Sequence, residues 1–327
     1  MPRVARSVVA SPLPIKELQL ATLVDAAPEG DDWLHEQKFD GYRILADRQG
    51  DEVRLLSRRF KDWTGEFPSI AAAIAKLPAK RVVLDGEVCV LMPDGRTSFQ
   101  ALQNSFGTKG ANLVYFVFDV LAIDGEVLTS LPLDERKARL EQLLPTKAGT
   151  LRYSDHVFGS GAAFFALACK QGLEGIISKR RDKPYVPGRG KIWVKTKCLL
   201  RQELVIGGFT DPEGSRSGIG SLLVGYYDKG KLVYAGKVGT GFSMKVLAEL
   251  YKTLAAIEQP GSPFDPMPAK AWTGSGRHWV APELVAEVVF AEWTHDGRLR
   301  HPSFQGLRKD KLPTEVVREL PASRDGR

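Results

Sequence analysis

The sequence predicts an α+β protein of two domains, the second of them a small β-barrel. Three observations carry this. The chain has 327 residues, more than one ordinary hydrophobic core accommodates. As far as about residue 197, strand-like runs alternate with amphipathic helical ones. Beyond that point the texture changes to period-two strands with glycine-rich turns and one clear helix.

Taken in order, residues 1–30 read as a loose lead-in or linker that ends in the acidic turn PEGDDW. WLHEQ, YRILAD and VRLLS read as strands, and FPSIAAAIAKL has helical spacing with a proline at its start. RVVLDGEVCVL reads as two strands bent at Asp85-Gly86, and LVYFVFDVLAIDG as a buried strand ending in a turn. LDERKARLEQLL is an amphipathic helix, and GAAFFALACKQG is another, capped by Gly172. LEGIISKR and KIWVKTK are strands joined by the loop PYVPGRG. In the second domain ELVIGGFTD, SLLVGYYD, KLVYAGKVG and ELVAEVVFAEWT are strands, and SMKVLAELYKTLAAIE is the helix. A compact β domain with a single helix resembles a barrel of the oligonucleotide-binding type. The expected division is 31–199 for the first domain and 200–327 for the second.

Charged residues make up 26% and hydrophobic residues 43%, a soluble globular balance. A formal charge of +7 favours a polyanionic partner without identifying one. The three scattered cysteines form no CxxC pair and suggest no zinc knuckle. With no disulfide framework suggested, a reducing cytoplasm fits, with nucleoid association expected; prolines interrupt the basic N-terminal stretch, so neither a signal-peptide core nor a membrane span is read there. A phosphate-binding P-loop is excluded, because Gly190-Lys191 is followed by Ile192 rather than Ser or Thr.

The stretch KFDGYR, residues 38–43, raises the chemical question. A lysine at a strand end is ordinarily a solvated charge. Here Asp40-Gly41 forces a tight turn that aims Lys38 back across the sheet, with Arg43 beside it. A lysine becomes a nucleophile when nearby cations or burial lower its pKa. Lys195 and Lys197 alternate on one strand face and are candidates for those cations. Glu87, Asp119 and Glu174 each lie at the end of an apolar run, where α/β sites tend to gather.

KFDGYR resembles the KxDGxR signature of the covalent nucleotidyltransferases: ATP-dependent DNA ligases, RNA ligases and capping enzymes. SRR at 57–59, LDGE at 84–87, FD at 118–119, EGIISK at 174–179, WVKTK at 193–197 and RKDK at 308–311 resemble the remaining family motifs, in order. SRRFKDWTGEFP, TSFQALQN and LRHPSFQGLRKDK are similar to the ligase module of bacterial end-joining DNA ligases.

The resemblance implies a nucleotidyltransferase domain with antiparallel-rich sheets and a C-terminal oligonucleotide-binding (OB) fold. It implies ATP, carried as AMP on Lys38, and Mg²⁺, with Mn²⁺ as the alternative ion. Glu36 and the backbone of Gln37 would read adenine, and Phe118 would stack on it. Arg43 and Glu87 would hold the ribose, and Arg58 would lie by the phosphate. Lys195 and Lys197 would hold the α-phosphate. Glu174 and Glu87 would hold the metal, and Asp40 would serve nick sealing. Arg308, Asp310 and Lys311 would orient the pyrophosphate. Glu36 argues against GTP, whose 6-oxo group would face a carboxylate acceptor.

The implied partner is nicked duplex DNA. An end-binding ring protein and a repair polymerase or end-processing domain are expected associates, and the chain is expected to be a monomer. RNA ligase or capping-type activity is the alternative enzyme reading. A non-catalytic DNA-end-binding module is the alternative of another class.

Overall fold

The computed structural model describes residues 13–106, 111–147, 149–212, 218–269, 273 and 276–321. The chain divides into two compact units, Met1–Thr196 and Lys197–Arg327. Among the described residues no helix is long and apolar enough to cross a membrane.

In chain order the first unit contains β1 (Gln19–Leu23), β2 (Gly30–Gln37), β3 (Tyr42–Gln49), β4 (Glu52–Ser57), α1 (Pro68–Ile74) and β5 (Arg81–Val90). It continues with α2 (Phe99–Ser105), β6 (Leu113–Ile123), β7 (Glu126–Val127) and α3 (Leu133–Leu143). β8 (Leu151–Tyr153), β9 (His156–Gly159), α4 (Gly161–Lys170), β10 (Gly175–Arg180) and β11 (Gly188–Lys197) complete it. Two sheets result, ordered β1-β11-β10-β2-β9 and β4-β3-β5-β6-β7, with β8 pairing β6. β1 pairs with β11 and β6 with β8 in parallel, while β10–β2, β2–β9, β3–β4, β3–β5, β5–β6 and β6–β7 are antiparallel.

Strand alternation explains how the second sheet is buried on both faces. In β3, Ile44 and Ala46 face a core made with α1, α2 and α3. Leu45 faces a second cluster containing Ile15, Leu18, Phe118, Tyr185 and Trp193. The candidate site lies at the edge of this second cluster.

Three expectations change. Residues 13–30 are built into the unit rather than forming a loose lead-in. Ile15 and Leu18 are buried, β1 pairs with β11, and the Gln19 backbone N–H donates to the Tyr185 hydroxyl at 2.9 Å. RVVLDGEVCVL forms one strand rather than two: β5 runs through Asp85-Gly86, with its register against β6 shifting there. Glycine is needed because a Cβ at Gly86 would sit 2.5 Å from the Phe116 carbonyl oxygen and the Tyr115 ring. Helix α2 was not read from TSFQALQN; Ser98 caps it, its Oγ accepting from the Ala101 N–H at 3.1 Å.

The second unit contains β12 (Leu200–Thr210), β13 (Ser221–Asp228), β14 (Lys231–Val238), α5 (Met244–Ala255), β15 (Glu258–Gln259), β16 (Arg277–Phe290), β17 (Glu292–Trp293), β18 (Leu299–Arg300) and β19 (Ser303–Arg308). Its main sheet is antiparallel, ordered β14-β13-β12-β16-β15, with β19 on β16. Leu247, Leu250 and Leu254 of α5 fall at helical spacing and pack into its core with Leu204, Ile206 and Val288. This is the mainly β unit that the period-two pattern predicts, with α5 where its helical spacing places it.

His278 on β16 bonds Glu258 at 2.8 Å and Asp211 at 3.0 Å. The Glu258 hydrogen bond, with Asp211 adding to it, raises the His278 pKa. The stabilisation is therefore fully present below the unfolded value and is lost as pH rises through the higher folded one. We expect wild type to exceed His278→Gln in urea midpoint at pH 5.5, by no more than the ~1 kcal/mol of an exposed pair. The gap should close by pH 9, and a gap constant across that range refutes the charge-pair account.

Candidate active site

β2 ends at Gln37, and the chain leaves the first sheet for the second across Lys38–Gly41. The crossing is tight. A Cβ at Gly41 would lie 2.1 Å from the Val88 carbonyl oxygen and 2.7 Å from the Cys89 sulfur, so no other residue fits. Asp40 fastens the crossing: its carboxylate accepts from the Phe99 N–H at 3.0 Å, at the start of α2, and its own N–H donates to Thr97 Oγ1.

Lys38 thereby lines a cavity together with Ala21, Glu36, Gln37, Phe39, Arg43, Glu87, Phe118, Ile177, Lys179 and Trp193. The structure brings together Glu36, Gln37, Lys38, Arg43, Glu87 and Phe118 from the expected set. Arg43 and Glu87 are direct cross-strand partners on β3 and β5. Lys195 shares a strand face with Trp193, two residues before it.

The electrostatics of Lys38 differ from expectation. Its ammonium pairs with Glu174 at 2.6 Å. Burial pulls its pKa down, but Glu174, Glu87 and Asp40 outweigh burial and the net shift is upward. The groups acting on Lys38 here are carboxylates rather than the cations expected to activate it. Lys197 is engaged elsewhere, donating to Glu319 at 2.7 Å and to the Arg201 carbonyl at 2.5 Å.

Arg43 is a half-buried strut on the cavity wall. It donates to both oxygens of the fully buried Asp85, at 2.9 and 2.6 Å, and to the Gln19 carbonyl at 2.7 Å. The Tyr185 hydroxyl donates to the same carboxylate at 2.8 Å. Asp119 is likewise no free ligand: Arg136 grips it with two 2.8 Å bonds, both side chains fully buried.

Glu36 is held from three sides. Lys137 Nζ donates to Oε1 at 2.6 Å, Lys179 Nζ to Oε2 at 2.8 Å, and Ser154 Oγ to Oε2 at 3.1 Å. Burial raises its pKa, but the two lysines outweigh this and hold it below the usual range. Lys179 is pushed down to about 8, chiefly by burial.

Among the described residues no group of three or more His, Cys, Asp or Glu forms a ready metal cage. The carboxylates around Lys38 are hard oxygen donors. Such a set suits Mg²⁺, which takes one or two carboxylates and completes its shell with water and phosphate.

Arg58 is half-buried in the turn after β4. The expected motif near the C-terminus is an ion-pair network within the second unit, not a solvated tail. Arg308 donates to both oxygens of Asp310, at 2.9 and 2.7 Å, and to Glu287 at 3.3 Å. Lys311 pairs with Glu203 at 3.0 Å.

Sequence reasoning did not assign Ala21, Phe39, Asp85, Lys137, Ser154, Ile177, Lys179, Tyr185 or Trp193 a place at the site. A signal was present for one of them. Arg136 and Lys137 fall with Leu133, Leu140 and Leu143 on the buried face of α3. Charges on the apolar stripe of a helix need buried partners.

Two antiparallel-rich sheets with a lysine-bearing crossing at the pocket, followed by a β-rich unit, define a nucleotidyltransferase-type ligase fold. Family models match accordingly: the ATP dependent DNA ligase domain over residues 16–197 and the ATP dependent DNA ligase C terminal region over residues 215–311. The chain belongs to the ATP-dependent DNA ligases, and its second unit is their OB-fold domain. It is 43% identical over 309 residues to the multifunctional non-homologous end joining protein LigD of Pseudomonas aeruginosa, covering 93% of this chain and 36% of that protein. To the end joining DNA repair protein LigD of Mycobacterium tuberculosis it is 45% identical over 290 residues, 88% of this chain and 37% of the relative. The chain thus spans little more than a third of these curated relatives. Among solved structures, mycobacterial DNA ligase D complexed with ATP and MES matches with a TM-score of 0.70 and 42% identity, covering 93% of this chain and 98% of that one.

Proposed function

We propose that this ligase seals 5′-phosphate/3′-hydroxyl nicks in duplex DNA through a lysyl-AMP on Lys38, as the sealing step of bacterial end joining. The observation that carries the reading is Lys38 on a cavity whose wall also bears an aromatic face, Phe118, and a carboxylate, Glu36. The likeness to the LigD proteins supports the end-joining role. An end-binding ring protein and a polymerase or end-processing domain would be its partners there.

In the first step the neutral Lys38 amine attacks the α-phosphorus of ATP. The Lys38 ammonium held by Glu174 first gives up one proton to solvent. As the amine attacks, the P–N bond forms, the bond to pyrophosphate breaks, and the nitrogen gives a second proton to solvent, leaving the phosphoramidate. Glu87 and Glu174 would hold Mg²⁺, which supplies positive charge against the phosphates and against the carboxylates that favour the protonated amine. Glu36 and the Gln37 backbone read adenine, Phe118 stacks on it, and Arg43 with Glu87 supports the ribose. Arg58 and Lys195 meet the phosphates, and Lys197 joins them on releasing Glu319 and the Arg201 carbonyl. In the second step AMP passes to the 5′-phosphate. In the third the 3′-hydroxyl attacks that phosphate, expelling AMP, with Asp40 serving this step.

Incubation with α-labelled ATP or GTP, followed by a denaturing gel, tests the reading. Label from ATP alone supports it. Label from GTP points to a capping-type enzyme, and no label to a binding module.

Arg308 and Asp310 would orient the pyrophosphate, so Arg308→Ala and Asp310→Ala should slow self-adenylation about 100-fold. Sealing of pre-adenylated nicks, from which pyrophosphate is already gone, should change far less. Equal losses in both assays would assign the pair to folding or DNA binding instead.

A further inference from the structure

The Glu36 carboxylate is buried, yet it is held charged and almost saturated by donors from three other elements. Lys137 comes from α3, Lys179 from β10 and Ser154 from the segment between β8 and β9. Glu36, Lys137, Lys179 and Ser154 are each at most 2% exposed. A carboxylate offers about four acceptor positions. Three are filled, two on Oε2 and one on Oε1. One position on Oε1 remains.

Both donors are themselves held in place. Lys137 Nζ also bonds the Ser154 carbonyl at 2.9 Å and lies 4.4 Å from the Tyr153 ring centre. Lys179 Nζ lies 4.3 Å from the ring centres of both Phe118 and Trp193. Each ammonium is thus enclosed by Glu36 and by aromatic faces, with Lys137 also bonded to the Ser154 carbonyl.

We propose that Lys137 and Lys179 are positioning residues for base selection: they keep Glu36 an ionised, acceptor-only group with one vacant position, which admits a 6-amino purine and rejects a 6-oxo purine. The inference rests on the reading above, in which adenine enters this cavity. A carboxyl group buried alone takes up a proton, and a protonated Glu36 would present an O–H to a 6-oxo group. Two buried lysines prevent that. The amine of adenine then meets a free acceptor, whereas the oxygen of guanine or hypoxanthine meets only another acceptor.

The test measures covalent label transfer to the full chain from ATP and from ITP, which carries the 6-oxo group. Wild type should prefer ATP by roughly 100-fold or more, because the mismatch leaves buried polar groups unpaired. In Lys137→Met and Lys179→Met the preference should collapse to within about tenfold, through a gain in relative ITP use, and Lys137→Arg should restore it. A purely structural role would lower both rates in parallel and leave the ratio intact, which overturns the proposal. Equal use of the two nucleotides by wild type also overturns it. No label from ATP in wild type would instead refute the ligase reading beneath it. Should neither methionine variant fold, Glu36→Gln decides: its amide can donate to a 6-oxo group, and a retained ATP preference sinks the inference.

Discussion

Lys38→Ala should form no detectable lysyl-AMP, a loss on the order of 10⁴-fold or more, as expected when a nucleophile is removed. It should still seal DNA that already carries a 5′-adenylate, slowly, because that step no longer requires the amine. The ion pair with Glu174 complicates the alanine variant, since truncation leaves a largely buried carboxylate without its cation. Lys38→Arg resolves this. A guanidinium keeps the charge beside Glu174 and cannot attack phosphorus at neutral pH. Both variants should lack the covalent label, and the arginine variant should unfold at a urea concentration close to wild type. Label retained in either one would move the nucleophile elsewhere in the chain.

The fold was legible where periodicity is local. β2, β3, β4, α3, α4 and α5 lie where their patterns predict, and Gly172 ends α4 in the left-handed conformation expected of a cap. The pocket was legible through motif order, since Glu36, Lys38, Arg43, Glu87 and Phe118 do line one cavity. What could not be read is which charges face each other. Lys38 was expected among cations and sits against Glu174, because strand-end residues from β2 and β10 meet only through antiparallel pairing of distant segments. The role of Gly86 was hidden for the same reason: its close neighbour is Phe116, thirty residues on and one strand over. Residues 13–30 are rich in apolar positions, but Leu18, Leu20, Ala21 and Leu23 keep neither a strict period of two nor a helical spacing, so no element announces itself. β1 exists because β11 offers it an edge, and Tyr185 and Gln19 tie the two segments together.

Asp119→Ala should destabilise the protein by about 3–5 kcal/mol, the cost of breaking a buried ion pair from one side. Asp119 and Arg136 are both completely buried, and they share two 2.8 Å hydrogen bonds. Without the carboxylate, the guanidinium keeps the carbonyls of Leu131 at 2.6 Å and Lys183 at 3.3 Å and the Tyr185 ring 5.9 Å away, none of which carries a neutralising charge. Burying an arginine without its counter-charge is the expensive part, more than losing the bonds themselves. The double variant Asp119→Leu with Arg136→Met removes both charges and fills similar volume. It should therefore be much closer to wild type than the single variant, with a coupling energy of several kcal/mol in a double-mutant cycle. The consequence reaches the nucleotide pocket, because Lys137 follows Arg136 on α3 and donates to Glu36. If Arg136 anchors α3, Asp119→Ala should erode the ATP preference over ITP even where it remains folded, and the double variant should recover it. Urea denaturation of the three proteins, paired with label transfer from the two nucleotides, separates anchoring from chemistry. A single variant that loses less than 1 kcal/mol, or a double variant no better than the single, would show that α3 is held by its leucines alone.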